Sequence, residues 1–154
     1  MSTITLRRLR NELSIIEKRP LRDIKVELVD SRDLFHWKAI IKGPLNSPYA
    51  GGYFLIDIQI PDAYPFLPPK LVFVTRIFHP NISTDGDICF KKSDWTSALS
   101  ITDLLFTILD LLEYPDFDKP GRTHISDMGK KNYRKYYLFA KRFTEKYALK
   151  SMPF

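Results

Sequence analysis

A single cysteine, Cys89, stands among the 154 residues, so the chain can form no internal disulfide and an oxidising compartment would give it no structural help. Long apolar runs are missing too. The early stretch from Leu6 to Ile16 is broken by Arg7, Arg8, Arg10 and Glu12, which excludes a signal peptide or membrane span there. A soluble protein of the cytoplasm or nucleus, without a membrane partner, is expected. No internal repeat, low-complexity tract or linker interrupts the chain, and its length predicts one domain over residues 1–154. No Walker-type glycine–lysine loop is present, so nothing predicts nucleotide binding. His36 and His124 lie far from Cys89 with no metal-ligand spacing, so no metal and no cofactor are expected.

What is present is globular. A hydrophobic content of 44% with 14% aromatics is enough for a core and argues against disorder. The net charge is +6, and the basic residues gather at the two ends, Arg7 to Arg22 and Lys130 to Lys150. Such charge admits nucleic-acid binding as an alternative, but no nucleic-acid motif accompanies it. Solvated helix faces, or an acidic protein partner for the first helix, account for it more simply.

Periodicity predicts the elements. Leu6, Leu9, Leu13 and Ile16 recur at helical spacing, giving an amphipathic helix that ends before Pro20. Ile24–Leu28 alternates as a half-exposed strand, and Phe35–Ile41 is a second. After a turn-rich connector from Pro44 to Gly52, Tyr53–Ile60 is a third strand with Phe54, Ile56, Ile58 and Ile60 on one face. Leu71–Val74 makes a short fourth. Sequential strands with short links predict an antiparallel meander. Ser100 or Thr102 can cap a helix reaching Leu112, stopped by Pro115. A last helix is expected from about Lys130 to Leu149, packed through Tyr133, Tyr137, Phe139 or Ala140, and Phe143 or Tyr147. The fold class is α+β: a four-stranded antiparallel meander sheet with one N-terminal helix and C-terminal helices.

The segment from Thr75 to Ser100 has little periodicity, and loops of that length in a compact domain are usually functional. It reads HPNISTDGDICF from His79 to Phe90, with Cys89 ten residues after the histidine. A thiol closing a glycine-containing loop is a candidate nucleophile, although a lone cysteine is commonly just a small buried hydrophobe. The preceding segments carry Gly43-Pro44, Ser47-Pro48-Tyr49, Gly51-Gly52 and Tyr64-Pro65-Phe66-Leu67-Pro68-Pro69-Lys70; Trp95, Ala98, Leu99, Ile101, Pro115 and Pro120 follow. In this order and spacing the chain resembles the ubiquitin-conjugating enzymes, from the Leu6 region to about Tyr147.

The resemblance implies transthiolation. Cys89 would accept ubiquitin, or alternatively a ubiquitin-like modifier, from an activating enzyme and pass it to a substrate lysine or a ligase cysteine. Any ATP would be used by the activating enzyme, and a monomer is expected. Asn81 has two readings: its amide could donate to the oxyanion of the tetrahedral intermediate, or tie the loop through backbone bonds. His79, beside Pro80, is expected to bond backbone groups and fix the turn rather than form a dyad with the thiol. The resemblance also assigns Phe66, Arg7 and Arg8 to docking of ligase and activating enzyme. An aromatic residue before Pro65 makes a cis peptide possible.

The departures from the family pattern are informative. The stretch from Cys89 to Trp95 is about two residues shorter than in general-purpose members, and Phe90 replaces a usual leucine. Ser97 stands where many members carry a ligase-contacting proline. Lys119 stands where lysine-modifying members often carry an acid that positions the attacking amine, and a lysine there would repel an ammonium. Asp118 could substitute if the loop shifts, and Asp116 replaces a common asparagine. Discharge to a ligase cysteine, rather than to free lysine, is the expected consequence.

Overall fold

The structure is a computed structural model that describes residues 3–88, 90, 92–119 and 121–154, with the Lys92 side chain outside the description. Helix α1 spans Thr3–Lys18, and β1 (Ile24–Leu28), β2 (His36–Lys42), β3 (Tyr53–Gln59) and β4 (Lys70–Phe73) follow. Helices α2 (Ile101–Glu113), α3 (Thr123–Lys131) and α4 (Tyr133–Tyr147) complete the chain. The sheet order is β1-β2-β3-β4 with every neighbouring pair antiparallel, which is the meander expected from the sequence.

Register assigns the faces. Ile24, Ile41 and Phe54 pair across the sheet, as do Val26, Ala39, Ile56 and Phe73, and these inward residues join the helices in one core. Against them α2 packs Ile101, Leu104, Leu105, Ile108 and Leu112, all buried. Its start is fixed by Ser100, whose hydroxyl accepts from the Asp103 N–H while the Asp103 carboxylate accepts from the Ser100 N–H. This reciprocal pair satisfies helix-end donors that would otherwise lack partners.

Two expectations need correction. The C-terminal helix is broken at Asn132, whose side chain accepts from the Lys135 N–H and caps α4, so α3 is a separate nine-residue helix. The packing face of α4 also differs in part: Ala140 is buried and Tyr137 packs against the core as expected, but Tyr136 rather than Tyr133 goes fully inside. Tyr136, Ala140 and Thr144 are buried, whereas Tyr133 and Phe139 are half exposed. Tyr136 goes inward because its hydroxyl meets a partner there. Tyr49 donates to the Phe78 carbonyl at 2.6 Å, which leaves Tyr136 to donate to the Tyr49 oxygen at 2.7 Å. Both phenols are held well above their ordinary titration range, chiefly by burial.

Candidate active site

The predicted loop is built around buried polar residues. His79 and Asn81 are both fully buried, and His79 sits 5.6 Å from the Tyr49 ring. The Asn81 N–H donates to His79 Nδ1 at 3.0 Å, so the ring proton lies on Nε2, which donates to the Leu111 carbonyl at 2.6 Å. Both nitrogens are thereby taken by backbone groups. Burial, with Arg122 nearby, pushes the imidazole down to about 4, so it is neutral at physiological pH.

Asn81 reaches across to the segment after α2. Its Nδ2 donates to the Asp116 carbonyl at 2.7 Å, and its Oδ1 accepts from the Asp116 N–H at 2.9 Å. This two-bond clasp is the loop-tying arrangement, and it seats the 116–119 turn beside the tripeptide. Gly121 completes the contact: a Cβ there would lie 2.2 Å from the Pro80 carbonyl oxygen. The Arg122 N–H then donates to that same oxygen at 3.0 Å.

Downstream, residues 82–88 fold into a small hairpin. Ile82 bridges Ile88, and the Ser83 N–H donates to the Asp87 carbonyl at 2.8 Å. Gly86 turns the tip at φ +90°, where a Cβ would strike the Phe73 carbonyl at 2.1 Å. The return limb leads to position 89. Cys89 itself, with Lys91 and Pro120, lies outside the described residues. Its flanking residues Ile88 and Phe90 line a cleft of about 520 Å³, together with Leu71, Trp95, Leu104 and Leu111. Lys119 lines this cleft rather than simply facing solvent, while Asp87 and Asp94 stand at its exposed parts.

The two acidic candidates are engaged elsewhere. Asp116 Oδ1 accepts from the Asp118 N–H at 3.0 Å. The Asp118 carboxylate, largely exposed, pairs with Lys130 Nζ at 2.9 Å. Lys130 is held above its ordinary value, mainly by that bond.

The expected docking residues occupy one end of the molecule. The Tyr64–Pro65 peptide is cis, and Phe66 beyond it is 73% exposed with Leu67 at 55%, an apolar pair open to a partner. Arg7 is exposed, but Arg8 is committed within the chain. It donates to the Ser97 carbonyl at 2.8 Å and the Leu99 carbonyl at 2.6 Å, and lies over the Tyr64 ring. The Ser97 side chain remains at an exposed position. Behind them stands Glu12, a buried carboxylate that the sequence treated only as an interruption. It accepts from the Tyr64 hydroxyl at 2.5 Å, the Ile101 N–H at 2.9 Å and Arg8 Nε at 3.2 Å. The missed signal was its place three residues after Leu9 and four before Ile16, on the same helix face.

Helices around one antiparallel meander, with a clasped His-Pro-Asn loop whose following hairpin leads to an apolar cleft, define the class. A family description for ubiquitin-conjugating enzymes matches residues 8–144. A crystal structure described as a ubiquitin-conjugating enzyme from Plasmodium yoelii superposes with a TM-score of 0.88 at 39% identity, covering 96% of this chain and 97% of that one. The E2 domain of a Toxoplasma gondii ubiquitin-conjugating enzyme gives 0.85 at 37% identity, covering 94% of this chain and 99% of its own. The chain belongs to the ubiquitin-conjugating enzyme family.

Proposed function

We propose that the chain takes ubiquitin from an activating enzyme as a thioester on Cys89 and delivers it to a ligase cysteine in preference to a free lysine. In the loading step the Cys89 thiolate attacks the thioester carbonyl, forming one C–S bond as the activating enzyme's thiolate leaves. Onward transfer is chemically equivalent: a ligase thiolate attacks the Cys89 thioester and the Cys89 thiolate leaves, so neither step needs a cofactor on this chain. A thiol near its ordinary pKa of ~8.5 supplies enough thiolate for such exchange. Asn81 supports the step by holding the loop through its clasp on Asp116, and its amide is a side-chain donor on that loop for the oxyanion.

The observation carrying the acceptor preference is Lys119. It lines the cleft beside Ile88 and Phe90, and the neighbouring Asp118 is drawn away to Lys130. An incoming ammonium therefore meets a like charge where its deprotonation calls for an anionic carboxylate base. A thiol acceptor carries no such penalty.

The test begins with loading. Activating enzyme, Mg-ATP and ubiquitin should give a reductant-sensitive adduct on a non-reducing gel that Cys89→Ala abolishes. The purified thioester should then discharge rapidly to a small thiol and slowly to free lysine. Lys119→Asp should raise the lysine rate at least tenfold. Ready discharge of the wild-type thioester to lysine would overturn the preference, and an adduct surviving in Cys89→Ala would overturn the nucleophile.

A further inference from the structure

Arg122 is a cation with no ion-pair partner among the described residues. Its backbone is fixed to Pro80, yet its Nε is fully enclosed with no hydrogen-bond partner among them. A buried donor left unmet is costly, and a guanidinium stays charged regardless. Burial works against that charge here, with the Tyr49 hydroxyl a weak opposing influence.

Arg122 borders a second cavity, of about 410 Å³, separate from the cleft beside Lys119. Arg76 lines it too, lying 5.3 Å from the Tyr147 ring and pairing with no carboxylate among the described residues. Thr75, Ser83 and Thr84 add three hydroxyls to the polar wall. Thr75 Oγ1 accepts from the Leu55 N–H at 2.9 Å and Ser83 Oγ from the Asp87 N–H at 3.0 Å, so each O–H remains able to donate. Asp85 also lines the cavity at an exposed position, and the two arginines outnumber it. The wall includes Gly86, three residues before Cys89. Three residues reach at most about 10 Å.

We infer that this cavity binds an oxyanion, a carboxylate or phosphate, carried by the protein segment that receives the acyl group. The planar fork of an arginine suits either group, since both offer paired oxygens. The anion enters beside the hairpin that leads to position 89 and orients the acceptor. The site's affinity for an anion stands on the cavity alone, while its role in acceptor choice rests on the function proposed for Cys89.

Two measurements separate these parts. In the first, inorganic phosphate is titrated into the uncharged protein and the Arg122 Nε–H resonance is followed by NMR. A saturable shift that is lost in Arg76→Gln supports the site, and no saturable shift overturns it. In the second, preformed thioester is offered three short cysteine peptides, alike except for two flanking glutamines, glutamates or phosphoserines. The glutamate or phosphoserine peptide should react roughly fivefold faster than the glutamine peptide, the scale of one modest charged contact. That ratio should fall to near one in Arg122→Gln and in Arg76→Gln; Arg122→Lys, which keeps the charge and loses the fork, should fall between. Acceleration by phosphoserine alone would identify phosphate as the oxyanion. Equal rates for all three peptides would overturn the acceptor role, and failure of the wild-type chain to load would instead overturn the proposal for Cys89.

Discussion

His79 shows how a single ring can set the conditions under which the loop exists. Its Nδ1 accepts from Asn81 and its Nε2 donates to Leu111, an arrangement only the neutral imidazole can make. In the folded chain it titrates at about 4, against an ordinary value near 6.5. Between those values the unfolded chain binds a proton that the folded chain refuses. The contribution to stability is therefore complete above about pH 6.5, declines as pH falls toward 4, and is lost below it. At about 1.4 kcal/mol per unit, moving from pH 7.5 to pH 5 should cost about 2 kcal/mol from this residue alone. Urea midpoints at the two pH values measure it. In His79→Gln the difference between them should shrink, and an undiminished difference would show that other groups carry the acid sensitivity.

At the scale of elements, the joints matter more than the elements. The strands and α2 were legible in the sequence because alternation and helical spacing report burial of a whole face, and those faces are where register puts them. The face of α4 was legible only in part. Its aromatics occur all round the helix, so spacing could not select Tyr136 over Tyr133 or Tyr137; the hydroxyl pair with Tyr49 selects it, across 87 positions of sequence. Asn81 was legible as a loop residue, but its clasp on Asp116 needed the fold to bring the two turns together. Glu12 is the same kind of joint. One carboxylate holds α1, the tyrosine before cis-Pro65 and the first N–H of α2. Glu12→Gln replaces one acceptor oxygen with a donor and so leaves at least one of these partners unmet inside the protein. The expected loss is about 3 kcal/mol, the cost of breaking a buried charged network from one side. Chemical denaturation checks it. A loss below about 1 kcal/mol would mean that α1 is seated by Leu9 and its apolar neighbours alone.

Across the whole molecule, the sheet has one face on the core and an outer face that is covered at one spot. Its outer side presents Lys25, Glu27, His36, Lys38, Leu55 and Asp57, and Lys38–Glu27 and His36–Asp57 pair across the strands. Ile40 belongs to that side by register, opposite Lys25 and Leu55, yet it is fully buried and stands outside the main core cluster. The residues after α4 provide the cover. Leu149 bridges Tyr53, and Phe154 places its ring 4.6 Å from Lys38 Nζ and 5.6 Å from Lys25 Nζ. Two ammonium groups over one ring favour the position electrostatically, and the ring adds apolar area to that side of the sheet. Phe154→Ala should therefore lower stability by about 1 kcal/mol and move the Lys38 side-chain resonances downfield, because the ring current above them disappears. Phe154→Leu should restore most of the stability without restoring the shift, since it returns apolar area but no aromatic face. Unchanged Lys38 resonances in Phe154→Ala would show that the segment does not lie on the sheet in solution.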